Sequence, residues 1–457
     1  ALLLALNPAQ VWQAGFSTAE VLAQILLLAG FSTLARFTDR PGWLVTPLLS
    51  GAFFGLAFFA RYDSIMVGVP VTFLLILFRG EREHRRQVLG FVLTFSLVVL
   101  HAWLHMRILA PRYHPMSGLV NPALALSPVI AVALMAGTWT GPGQGLVRRL
   151  VERQAWLRLA YAVSFVAFIF FAWYVRPHLT VDGRVSNVVK AILAALGQPG
   201  WLNVLAGEDA LTFYLLRAVF GTPGLVLACA GVVVLAWRLS GRGAAIWLAA
   251  SFGVMAILVT NAFNDLFLMW VSRRYVPVVV PLLTLGIVAC ARELHRGLSA
   301  VMAPLARPAA AGLIALVAVL FAPKAWAVAS SRDWPGLVAW YDNLYRAIPA
   351  GATVCCDAPG FAAPLRFLYG IRAFEITGDG TCAEALRRPG VVNAAAGGPL
   401  VVLTMRDQPA CRGVALEPLA RLDLRSSVLQ AGWTRVPTST MGRGGRFVLY
   451  RATVRDD

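Results

Sequence analysis

The chain has 457 residues, 58% of them hydrophobic and only 14% charged, and its mean hydropathy is +0.69. Soluble domains carry about 25% charged residues, so this composition excludes disorder, a coiled coil and a small disulfide-rich secreted fold, and points to repeated membrane spans. The net charge of +18, from 40 basic and 22 acidic side chains, would suggest nucleic acid in a soluble protein. In a chain this apolar it marks inner loops facing anionic lipid, so membrane lipids and not nucleic acid are the expected partners.

The chain opens on ALLLALNP, an apolar run too short to span and lacking a basic flank, so it is not a signal peptide. It reads as the outer end of a span that begins upstream of Ala1, in a chain truncated at its N-terminus. Apolar runs able to cross about 30 Å of hydrocarbon then recur near residues 20–36, 43–60, 63–79, 88–106, 121–137, 159–175, 215–237, 244–263, 275–291 and 308–328. These predict an α-helical polytopic bundle over residues 1–328, because lipid offers no partner for unpaired backbone groups and the runs lack strand alternation. Loop arginines set the orientation. Loops holding Arg79, Arg82, Arg85, Arg86, Arg148, Arg149, Arg153 and Arg158, with others in alternation, carry nearly twice the basic residues of the opposite set. They are assigned to the cytoplasm, and residues 7–19, the 176–214 loop and everything beyond 328 to the outside.

Residues 329–457 change character: hydrophobic runs shorten, and Gly, Pro and Asp return. Segments 352–357, 371–377, 399–405 and 446–454 read as strands, and 361–369 and 381–388 as short helices. A small α/β extracytoplasmic domain is predicted. Cys355, Cys356, Cys382 and Cys411 lie in it, where oxidising conditions permit disulfides. A bond between Cys355 and Cys356 would be strained, so each is expected to pair with Cys382 or Cys411. Their spacing makes a zinc site the weaker reading.

Charged residues at membrane depth are costly and often functional, and those of interest sit at outer ends of spans. Glu20 opens a span after Ser17 and Thr18, where it can bind a metal, accept a proton, or simply face water at a helix N-terminus. Arg61 and Asp63 fall in a very short turn between two spans, free either to pair or to present a cation and a carboxylate to an outer cavity. His101 and His105 are four apart, which puts both imidazoles on one helical face, as a divalent metal requires. His114 and His178 are candidate further ligands, and plain hydrogen bonding is the alternative. Arg273, Arg274 and Tyr275 sit at the outer mouth of the ninth span, against the positive-inside trend. Guanidinium matches phosphate bidentately, so a phosphate leaving group is their expected ligand, with snorkelling to headgroups as the alternative. No P-loop, GxGxxG, GxSxG or HExxH motif occurs, so ATP-driven transport and dinucleotide chemistry have no support.

The chain resembles the GT-C superfamily of integral-membrane glycosyltransferases, in the bacterial branch that uses polyprenyl-phosphate sugars. Four features carry the resemblance: the P8-x-x-V-W…S17-T18-A19-E20 loop, GLAFFARYDSIMVGVP at 55–70, S272-R273-R274-Y275 followed by P277, and the outer domain starting IPAGATV at 348–354. The resemblance implies an enzyme of the cell (inner) membrane. It would take a polyprenyl-phosphate-linked sugar from the bilayer and pass it to a lipid, protein or glycan acceptor outside. It implies a catalytic aspartate in a first outer loop upstream of Ala1, so that the chain alone would be inactive. Glu20 would match the second acidic position, with Asp63 as a further carboxylate. Arg61, Arg273, Arg274 and Tyr275 would bind substrate, and a divalent metal or basic residues would steady the phosphate. A transporter or flippase for a lipid-linked glycan is the alternative.

Overall fold

A computed structural model describes residues 1–14, 19–39, 44–79, 84–109, 120–176, 212–238, 241–260, 276–330, 335–357, 360–376, 386, 398–405, 414–429 and 440–454. The chain divides into two compact units, with the change at Ala329 and Ser330.

Unit 1 is helical. In chain order it holds α1 (Leu2–Ala5), α2 (Pro8–Ala14), α3 (Ala19–Asp39), α4 (Val45–Ala60), a one-turn 3-10 helix (Tyr62–Ser64), α5 (Ile65–Arg79) and α6 (Arg85–Leu109). There follow α7 (Val120–Trp139), α8 (Gly141–Glu152), α9 (Gln154–Phe170) with a π turn at Phe171–Val175, α10 (Thr212–Arg238), α11 (Arg242–Thr260), α12 (Val279–Val301) and α13 (Ala303–Ser330). Among the described residues, six helical stretches are long and apolar enough to cross a membrane: Ala19–Thr38, Tyr62–Arg79, Arg85–Ile108, Ala155–Val175, Leu216–Arg238 and Ala303–Ser330. Helices overlap the other four predicted spans, with residues 43, 261–263 and 275 outside the described residues, and α4, α7 and α11 offer shorter apolar stretches. Helix α12 carries Arg292, Glu293 and Arg296 in its C-terminal half.

The surface of unit 1 is that of a protein in lipid. Leu93, Leu97, Leu100, Leu104 and Ile108 recur every three or four residues of α6, and all are exposed. Such a stripe would be anomalous in water. The interior holds aromatic rings in edge contact, Phe31 against Phe54 at 5.0 Å and Phe54 against Phe91 at 6.0 Å. Several hydroxyls in the helices find carbonyls: Thr72 donates to Gly68 at 2.8 Å, and Ser50 of α4 to Gly30 of α3 at 2.9 Å. Small residues let helices close in. A Cβ on Gly231 of α10 would overlap the Gly286 carbonyl of α12.

Arginines end several helices. Arg85 donates to the Trp139 carbonyl that terminates α7 at 2.9 Å, and Arg242 to Phe78 near the end of α5 at 3.3 Å. A cation at a helix C-terminus satisfies an orphan carbonyl and the dipole together.

Unit 2 starts with α14 (Leu337–Ala347), followed by β1 (Thr353–Cys356), α15 (Ala362–Leu368), β2 (Arg372–Glu375), β3 (Leu400–Thr404), β4 (Val414–Leu429) and β5 (Thr440–Val454). The sheet order is β2-β1-β3-β5-β4. β1 runs parallel to β2 and β3, while β5 is antiparallel to both β3 and β4. Strands β1, β2, β3 and β5 and helix α15 stand where the sequence predicts them. The sequence pattern predicts neither helix α14 nor the long edge strand β4. Of the helix predicted at 381–388, only Leu386 is described, and it is helical and buried.

The cysteines require a correction. Cys355 and Cys356 are both free thiols, not disulfide-bonded, and both are buried. Consecutive strand residues point to opposite faces. Cys356 therefore packs with Trp340, Tyr341 and Leu344 on one face of the sheet, and Cys355 with Leu386, Val402 and Val448 on the other. Each is enclosed by apolar side chains within its own layer, and burial pushes the Cys355 thiol up to about 12. Cys382 and Cys411 lie outside the described residues.

Candidate functional site at one end of the bundle

Helix α4 stops at Ala60, where the backbone of Arg61 becomes extended (φ −154, ψ 113) before the 3-10 turn leads into α5. This turn brings Arg61 and Asp63, two residues apart, onto one side of the chain. Arg61 Nε donates to Asp63 Oδ1 at 2.5 Å, and Nη2 to Oδ2 at 2.7 Å. The remaining arm reaches across to α3, where Nη1 donates to Glu20 Oε1 at 2.5 Å. Glu20 stands in the first turn of α3, where the helix dipole favours a carboxylate. Side-chain exposure is 12% for Arg61, 9% for Glu20 and 25% for Asp63, so the cluster is sunk in the protein but open at Asp63.

Burial acts to lower the Arg61 pKa. The hydrogen bond and charge of Asp63 and the charge of Glu20 outweigh it, so the guanidinium ends above its ordinary value and stays charged. Two carboxylates thus meet on one guanidinium. Of the two sequence alternatives for Arg61 and Asp63, the structure contains the pair. It also adds Glu20, 41 positions from Arg61 in the chain. One turn along α3, buried Gln24 donates from Nε2 to the Val276 carbonyl at 2.7 Å. Val276 directly follows Tyr275. Arg273, Arg274 and Tyr275 themselves lie outside the described residues.

His101 and His105 share a face of α6, with ring centroids 6.3 Å apart. Both are exposed beside the outward leucine stripe. Phe59 of α4 lies against both, stacked on His101 at 6.1 Å and 5.2 Å from His105. Among the described residues, no group of three or more His, Cys, Asp or Glu could hold a metal. His114 and His178 lie outside the described residues.

Sequence reasoning misses two features. Helix α10 breaks at Gly221 (φ 71, ψ 156), ahead of Pro223, and Lys324 of α13 donates from Nζ to the freed Ala218 carbonyl at 2.7 Å. The signal is there: GTPG interrupts the apolar run, and Lys324 is one of two lysines in the chain. Arg176, after the π turn, is fully buried. Comparison with family models, curated proteins and solved structures finds no match.

Proposed function

We propose that the protein is an integral-membrane glycosyltransferase that moves a sugar from a polyprenyl-phosphate carrier to a lipid, protein or glycan acceptor on the outer face of the cell membrane. The observation that carries this reading is the Glu20–Arg61–Asp63 cluster at the end of the bundle where α3 begins and α4 ends. Sugar transfer requires a base for the attacking hydroxyl and a cation for the departing phosphate. The cluster holds both kinds of group within hydrogen-bonding distance. A phosphate oxygen arriving at Arg61 competes with the carboxylates for its planar fork. The carboxylate it displaces is then available to take the acceptor proton as the new bond forms at the anomeric carbon and the bond to phosphate breaks. Gln24 fixes the chain next to Arg273, Arg274 and Tyr275 onto α3, which supports a phosphate-binding role for that segment. No step is assigned to a metal. Ten spans, with residues 329–457 outside, belong to the same proposal.

A second reading, a transporter or flippase for a lipid-linked glycan, has one observation in its favour. Transporters place broken helices at their binding sites, and α10 is broken at Gly221 with Lys324 on the exposed carbonyl. One experiment separates the two. Full-length protein in vesicles is given radiolabelled polyprenyl-phosphate sugar with and without membrane acceptor. The enzyme transfers label only with acceptor, and Arg61→Gln and Arg274→Ala each lower the rate by about 100-fold. A flippase instead makes the lipid-linked sugar accessible across the vesicle without acceptor. Wild-type transfer in both variants would remove the phosphate role.

A further inference from the structure

Helix α13 has 28 residues and is about 42 Å long, more than the roughly 30 Å of hydrocarbon it would cross. Its exposed Trp326 stands four residues before its end, at the depth where an aromatic ring marks the boundary with water. Only residues 331–336 separate Ser330 from the first residue of α14. Even fully extended, that stretch covers about 25 Å. Unit 2 therefore starts close to a bilayer surface, whatever its function.

Beside that start, unit 2 leaves large apolar side chains uncovered. Phe367 is 79% exposed, Leu368 76% and Val338 72%. Val338 and the half-exposed Tyr345 are two turns apart on one face of α14. Tyr345 stacks on Tyr369 at 5.2 Å, and the Tyr369 hydroxyl donates to Asp342 of α14 at 2.7 Å. These contacts join the α14 face to the C-terminal end of α15, where Phe367 and Leu368 directly precede Tyr369. Exposed Arg346, Arg366 and Arg372 lie within a few residues of these side chains in the chain; the Arg366 guanidinium sits 5.8 Å from the Phe367 ring, and Arg372 Nη2 also donates to the Gly351 carbonyl at 3.3 Å. Asp342 is the sole acid on α14 and α15, and Tyr369 already uses its carboxylate.

We propose that unit 2 rests on the membrane surface through this patch, with Phe367 and Leu368 inserted among phospholipid headgroups and the three arginines on lipid phosphates. Two features select lipid as the occupant. The short tether keeps the patch near a bilayer. Its chemistry, aromatic and aliphatic tips with guanidinium groups nearby in the chain, matches an interface that offers acyl chains and phosphate together. A rigid contact of this kind would hold the unit at a constant height over the bilayer.

The test is photochemical. Phe367→benzoylphenylalanine and Leu368→benzoylphenylalanine variants of the full-length protein are placed in phosphatidylcholine vesicles, with and without phosphatidylglycerol. Glu417→benzoylphenylalanine is the reference, on β4 at the far edge of the sheet from β2. Irradiation should give lipid adducts several-fold above the reference at both positions. The yield should rise with phosphatidylglycerol and fall several-fold when Arg346, Arg366 and Arg372 are all changed to Gln. Lipid adducts no higher than at Glu417 would overturn the proposal. So would adducts to a second copy, to another protein, or to the chain's own helical unit.

Discussion

Removing Arg61 would leave Glu20 and Asp63 in a poorly hydrated recess without the guanidinium that joins them. Breaking a buried ion pair from one side costs about 3–5 kcal/mol. Asp63 retains 25% exposure, so Arg61→Met should cost toward the lower end, about 3 kcal/mol in thermal unfolding in detergent. Glu20→Gln alone should cost about 1 kcal/mol, yet in the Arg61→Met background it should restore stability, since it relieves the repulsion between two carboxylates. Additive losses would mean that the three side chains do not act as a unit. The pair Arg61–Asp63 was legible in the sequence because two residues in a short turn have few places to go. The contact with Glu20 was not, because it depends on how α3 packs on α4. The contact of Lys324 follows the same rule: GTPG and a rare lysine mark two places in the sequence, but that they meet depends on how α13 packs on α10.

At the scale of elements, hydropathy located the helices well, because a span must be apolar along its length. It could not show how closely they approach. Gly231 and Gly286 bring the backbones of α10 and α12 into contact, with no room for a side chain. Gly231→Val should therefore force the helices apart. Overpacking that side chains can absorb costs about 1–3 kcal/mol, and here the obstacle is backbone, so a loss of about 3 kcal/mol is expected. At Gly253 of α11 nothing lies within 4 Å of the place a Cβ would take, so Gly253→Val is the control and should be nearly neutral in the same thermal assay. Strand β4 shows the opposite limit of pattern reading. Its sequence VALEPLARLDLRSSVL mixes Pro418 with acids and arginines, which reads as loop. It forms a strand because it lies at the sheet edge, paired only with β5. There proline costs no ladder bond on the open side and charges discourage further pairing, and a bulge between Pro418 and Ala420 absorbs the irregularity. The strand sends the adjacent Cys355 and Cys356 into different layers, where each is a buried free thiol.

For the whole molecule, the two units rest on different physics, and the four described cysteines report on each separately. Unit 1 has lipid against its outward leucines, so its unfolding does not expose that surface to water. Urea acts through surface newly exposed to water, and so has most leverage on unit 2, with a slope of about 1–2 kcal/mol per molar for a unit of that size. Cys355 and Cys356 lie in the two layers of its sheet, whereas Cys229 and Cys290 belong to α10 and α12. In vesicles with rising urea, maleimide should therefore reach Cys355 and Cys356 in one cooperative step while Cys229 and Cys290 stay protected. A substitution in one unit should move only that unit's step. Phe447 is buried with its ring 4.9 Å from Trp340 and 4.8 Å from Phe361, so Phe447→Ala should destabilise unit 2 by about 3–5 kcal/mol. That should bring the Cys355 and Cys356 step to lower urea by about 2 M or more and leave Cys229 and Cys290 unchanged. Simultaneous labelling of all four thiols would show one cooperative block in place of two. Labelling of Cys355 only after reductant is added would restore the disulfide that the buried thiols exclude.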